Sequence, residues 1–139
     1  MNIVHADLEI NLPDEWLREA NMLHFAPKGS SYLVDSDAVR DRDIFEVCVG
    51  DVAPVRRDPG VPIFNSDKDT GRTARDRVVS ILRGFLSGAK LPPVEVVSLP
   101  DGQVHRYKLV AGTHRFYCSL AVGFSSVPAV IGFDWNSLD

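Results

Sequence analysis

Cysteine is almost absent from this chain, and its two copies, Cys48 and Cys118, have no CxxC neighbour. That excludes a disulfide scaffold and a zinc site built on thiolates. Cys48 stands in an apolar run and is expected to be buried. No apolar stretch approaches bilayer-spanning length, and no basic segment followed by a hydrophobic one opens the chain. A soluble, cytoplasmic protein without a membrane partner is therefore expected. Histidine is sparse too: His5, His24 and His105 are scattered and read as surface residues, and no metal site of the chain's own is expected. The two tryptophans, Trp16 and Trp135, read as packing residues of the core or of a lid. No internal repeat or low-complexity tract is present.

What is present suits one folded domain. The chain has 139 residues, of which 45% are hydrophobic, enough to bury a core. A charged fraction of 24% is ordinary and argues against global disorder. The net charge of −4 is unevenly spread: residues 1–52 balance to −7, and residues 53–123 to +5. Base concentrated in the middle of the chain suggests an anion site there, although two solvated faces of opposite sign would give the same count.

Residues 3–10 alternate loosely, as a strand does. Pro13, Asp14 and Glu15 then open a helix expected to run to Met22. Residues 23–43 read as a loop with one short strand at 31–34. Residues 44–49 (IFEVCV) form the next strand, followed by a long Pro- and Gly-bearing connection from Ala53 to Gly71 of the kind that is functional or mobile. The clearest helix spans 72–87, where Val78, Ile81, Leu82, Phe85 and Leu86 make one apolar stripe that Gly88 ends. Arg72, Arg75 and Arg77 crowd its start, where the helix dipole favours acids, and a bound anion would remove that conflict. Residues 94–99 and 104–110 form a hairpin around Pro100-Asp101-Gly102. A helix then runs from Thr113 to Gly123, and 126–131 (SVPAVI) make the last strand.

The run Val110-Ala111-Gly112-Thr113-His114-Arg115 passes from strand to helix through a glycine. Gly112 permits a sharp turn and close approach of a ligand. Thr113 is expected to cap the helix, whose free first-turn amides and dipole favour phosphate. Arg115 adds a planar donor fork matched to phosphate oxygens. His114 can donate to phosphate or shuttle a proton near neutral pH, and is the candidate catalytic residue.

The segment YKLVAGTHRFYCSLAVGFSSVPAVI resembles the part of ParB-type proteins that reads Tyr-x-Leu-x-Ala-Gly-x-x-Arg, then a helix, a glycine and Pro-Ala on the last strand. It is similar also to sulfiredoxins, whose glycine loop ends in Cys-His-Arg. Leu91-Pro92-Pro93-Val94-Glu95-Val96 resembles the strand these families place after the central helix, and residues 45–52 (FEVCVGDV) their opening strand and turn. The resemblance runs in order from Ile44 to Phe133. It implies an α+β domain of the ParB/sulfiredoxin type over residues 44–139, a small mixed sheet with packed helices, preceded by an N-terminal extension over 1–43. It also implies a nucleotide (ATP, ADP or CTP, with Mg²⁺) held at Gly112, Thr113, His114 and Arg115, with Arg75, Arg77 and Ser80 of the central helix assisting.

The departures from the family narrow the function. Thr113 replaces the sulfiredoxin cysteine, so peroxiredoxin repair is not expected. Ala111 stands where amino-acid kinases of this fold carry an acid. The helix-turn-helix module of partition proteins is not seen after the last strand, so only weak, sequence-independent nucleic-acid binding is expected. Three functions stay open: a nucleotide-binding module that hydrolyses or transfers phosphate, a ParB-like nuclease for which only the loop acids Asp67 and Asp69 offer a metal-binding carboxylate cluster, and a non-catalytic interaction domain. Residues 1–43 could engage a protein partner.

Overall fold

A computed structural model describes residues 1–133. The chain forms β1 (Asn2–His5), β2 (Leu8–Asn11), α1 (Asp14–Glu19), β3 (Phe45–Cys48), α2 (Ala74–Ser87), β4 (Val94–Ser98), β5 (Tyr107–Ala111), α3 (Thr113–Val122) and β6 (Ser126–Ile131). β1 and β2 are an antiparallel hairpin. The other strands make a four-stranded sheet in the order β3-β6-β4-β5, in which β4 and β6 are parallel and the remaining pairs antiparallel. The class is α+β with a mixed sheet, as expected. No helix among the described residues is long and apolar enough to cross a membrane.

α2 forms where the periodicity places it. Thr73 caps it by accepting the Asp76 amide, and the Asp76 carboxylate accepts the Thr73 amide in return. Gly88 closes it in the left-handed conformation. Its buried face is Val78, Val79, Leu82 and Phe85, while Leu86 is 45% exposed and lies outside the stripe expected of it. The arginine crowding at its start is resolved largely within the chain. Arg75 pairs with Glu19 of α1, its Nε 2.7 Å from the carboxylate, and Arg72 donates to the Asp76 carbonyl.

Other expectations need correcting. The first strand is split by Ala6 (φ 54°) into a hairpin. α1 stops at Glu19 because Asn21 turns into the left-handed region (φ 60°). The 31–34 strand reduces to one bridge between Val34 and Leu91. β5 begins three residues later than expected: Arg106 donates to the Asp51 carbonyl, and Val104 protrudes, 93% exposed, from the preceding loop. Cys48 is exposed, because β3 is an edge strand and Val47 is its one buried residue.

The N-terminal residues share the core of the rest. Ile3, Ile10, Leu12, Leu17 and Met22 are buried with Leu82, Val96, Phe116 and Val127 in one apolar cluster. His5, expected at the surface, is buried at the centre of a polar chain. Its Nε2 lies 2.8 Å from the Val52 carbonyl and its Nδ1 2.9 Å from the Tyr117 hydroxyl, which accepts the Val55 amide at 3.0 Å. A carbonyl can only accept, so Nε2 carries the proton and Nδ1 accepts from Tyr117. Burial lowers the His5 pKa, consistent with this neutral form. The network ties the hairpin to α3 and fixes where the 53–57 segment leaves the core.

Candidate functional site

β5 runs into α3 through Gly112, which adopts φ 90°, ψ 28°. A Cβ there would stand 2.9 Å from Val94 Cγ1 and 3.1 Å from Val94 Cα, so both the conformation and the space require glycine. The first helical hydrogen bond runs from the Phe116 amide to the Gly112 carbonyl, 2.9 Å. Gly112 is itself the N-cap residue, and no side chain caps the helix. Thr113, expected as the cap, is the first helical residue, one position too late to turn its hydroxyl on its own first-turn amides.

Around this helix start lies an open pocket of about 190 Å³, lined by Arg57, Asn65, Arg77, Gly112, Thr113, His114 and Arg115. Three of those seven residues are arginines and none is acidic. Arg77 reaches it from α2, its Nη1 donating to both the carbonyl and Oδ1 of Asn65 at 2.9 Å. Arg57 comes from the long 53–73 connection, exposed except for a weak 3.5 Å contact of Nη2 with the Ile63 carbonyl. Arg115 donates from Nη2 to the Pro93 carbonyl at 3.2 Å, and its Nε is buried with no hydrogen-bond partner. Behind it, Tyr32 donates to the Pro92 carbonyl at 2.6 Å; burial pushes its pKa up to about 12, so it stays protonated and neutral beside the guanidinium.

His114 is buried against the Phe64 ring, and its Nε2 accepts the Asn65 amide at 3.1 Å. A nitrogen accepting an amide proton carries none of its own, so the ring is the neutral Nδ1–H tautomer. Burial and then the nearby Arg77 charge push its pKa down to about 4. Asn65 thus clamps the connection to both helices, through Arg77 of α2 and His114 of α3.

Comparison with protein-family models, curated proteins and solved structures finds no match. The site therefore rests on its own geometry.

Of the residues singled out from the sequence, Gly112, Thr113, His114, Arg115 and Arg77 meet at this pocket. Arg75 and Ser80 do not line it: Arg75 turns to Glu19, and Ser80 is exposed elsewhere on α2. Arg57 and Asn65 are pocket residues that sequence reasoning missed. Their only signal was the length of the connection carrying them and the Arg56-Arg57 pair. Among the described residues no group of three His, Cys, Asp or Glu side chains could hold a metal ion. The loop acids Asp67 and Asp69 are folded into a turn in which the Asp67 carboxylate accepts the Asp69 amide at 2.9 Å, and that bond holds its pKa below the usual carboxylate range.

Proposed function

We propose that this chain binds the phosphate groups of a nucleotide in the pocket between the starts of α2 and α3. The observation that carries the reading is the convergence of Arg57, Arg77 and Arg115 on an uncapped helix start with no carboxylate in the lining. Helix amides and dipole attract an anion, guanidinium forks match phosphate oxygens, and a pocket without acid repels nothing. That the anion is a nucleotide phosphate follows from the resemblance of residues 44–133 to ParB-type and sulfiredoxin domains.

Binding, rather than phosphate transfer, is the chemistry these groups support. Thr113 carries the sole hydroxyl in the lining, and no carboxylate lines the pocket to take its proton. His114 is neutral, its Nε2 is occupied by the Asn65 amide, and a pKa of about 4 makes it a weak base, so we assign it a positioning role. The lining offers Mg²⁺ no carboxylate ligand, so a magnesium ion here would be held by phosphate oxygens and water.

Isothermal titration with ATP, ADP and CTP, with and without Mg²⁺, tests the reading. One charge-assisted hydrogen bond is worth roughly 1.5–3 kcal/mol, so Arg57→Ala is expected to weaken nucleotide binding about tenfold or more. Arg57 is exposed, so this variant keeps its fold. No heat with any of the three nucleotides, or unchanged affinity in both Arg57→Ala and Arg115→Ala, would overturn it.

A further inference from the structure

The phosphate pocket, at about 190 Å³, leaves no room for the base and ribose of a nucleotide. A second pocket of about 450 Å³ adjoins it, and Arg57 lines both. The two are separated by one short piece of backbone: Ile63 and Phe64 line the larger pocket, and the next residue, Asn65, lines the smaller. Phe64 also packs on His114, ring centroids 5.6 Å apart, so the shared wall is anchored to the phosphate site.

The larger pocket is more apolar than its neighbour, although Glu9, Asn11, Arg56 and Arg57 also line it. Its lining includes Trp16, Pro13 and Val61 beside Ile63 and Phe64. Trp16 is partly buried against the core, and Val61 is 46% exposed. The volume lies within the usual range for small-molecule sites, which combine an apolar lining with a few polar groups. A nucleotide has this same division, an anionic tail joined to a flat aromatic head.

We infer that the Trp16 pocket receives the base and ribose of the nucleotide whose phosphates sit between Arg57, Arg77 and Arg115. The inference rests on the phosphate reading above and extends it to the N-terminal segment, which supplies Trp16 and Pro13. The base stacks on the indole, and Arg57 stands at the junction between head and tail. The class of ligand is then a nucleoside 5′-diphosphate or triphosphate, not an inorganic polyphosphate or a sugar phosphate.

The test compares tripolyphosphate with ATP and CTP by titration calorimetry, alongside Trp16 emission in a Trp135→Phe background. Stacking on one aromatic side chain gives roughly a tenfold or greater gain per base. At least one of the two nucleotides is therefore expected to bind at least about tenfold more tightly than tripolyphosphate and to quench Trp16. Trp16→Ala is expected to bring nucleotide affinity down to that of tripolyphosphate while leaving tripolyphosphate binding unchanged. Val61→Trp, which fills the pocket from an exposed position, is expected to do the same should Trp16→Ala fail to fold. Equal affinity for tripolyphosphate and nucleotides in the parent protein, or a preference that survives both substitutions, would overturn the inference and leave the phosphate site standing. If neither tripolyphosphate nor nucleotide binds, both readings fall.

Discussion

Lowering the pH from about 7.5 to about 5 should destabilise this protein chiefly through His114. In the folded state its pKa is about 4, against 6.5 for the free side chain, because the ring is buried and faces Arg77. A depressed histidine pKa means that the unfolded chain takes up a proton that the folded chain refuses. The stability from this group is therefore complete above 6.5, falls as the pH drops through that value, and goes on falling to about 4. Linkage for one such group amounts to about 2 kcal/mol between the two pH values, or on the order of 6 °C in melting temperature for a domain of this size. His5, whose pKa is also lowered by burial, acts in the same direction. The assay is thermal unfolding of ligand-free protein across this range, for the parent and for His114→Gln. A glutamine Oε1 can still accept the Asn65 amide but does not titrate. The variant should be distinctly less pH-dependent than the parent. Parallel curves for the two proteins, or a His114 NMR titration with a midpoint near 6.5, would refute the placement of a neutral, clamped imidazole here.

Gly112→Ala should cost about 3 kcal/mol, since alanine is strained at φ 90° and its Cβ meets the Val94 backbone, which cannot move aside; chemical denaturation checks this, and a loss under 1 kcal/mol would contradict it. Tyr117→Phe should cost about 2 kcal/mol by depriving His5 Nδ1 of its donor and the Val55 amide of its acceptor; a denaturation midpoint unchanged from the parent would show that the buried chain is not formed.

The sequence by itself determined the elements whose side chains decide their own environment. The stripe from Val78 to Phe85 made α2, alternation and turn residues made β4 and β5, and Gly112 marked the passage into α3, because helical and extended periodicities are local properties of the chain. Long-range contacts decided the rest. Arg75 and Arg77 looked equivalent in sequence, yet positions i and i+2 point to different sides of a helix, so one meets Glu19 and the other the pocket. Cys48 is exposed because its strand is at an edge, which depends on β6 pairing from the far end of the chain. His5 is buried because Val52 and Tyr117 satisfy both its nitrogens from 47 and 112 residues away. Arg57 and Asn65 joined the site for the same reason: their connection has no periodicity of its own, and its path is set where His114 and Arg77 hold the Asn65 backbone. Hydrogen bonds across such distances follow only from the packed core that brings their partners together, and no local pattern records them.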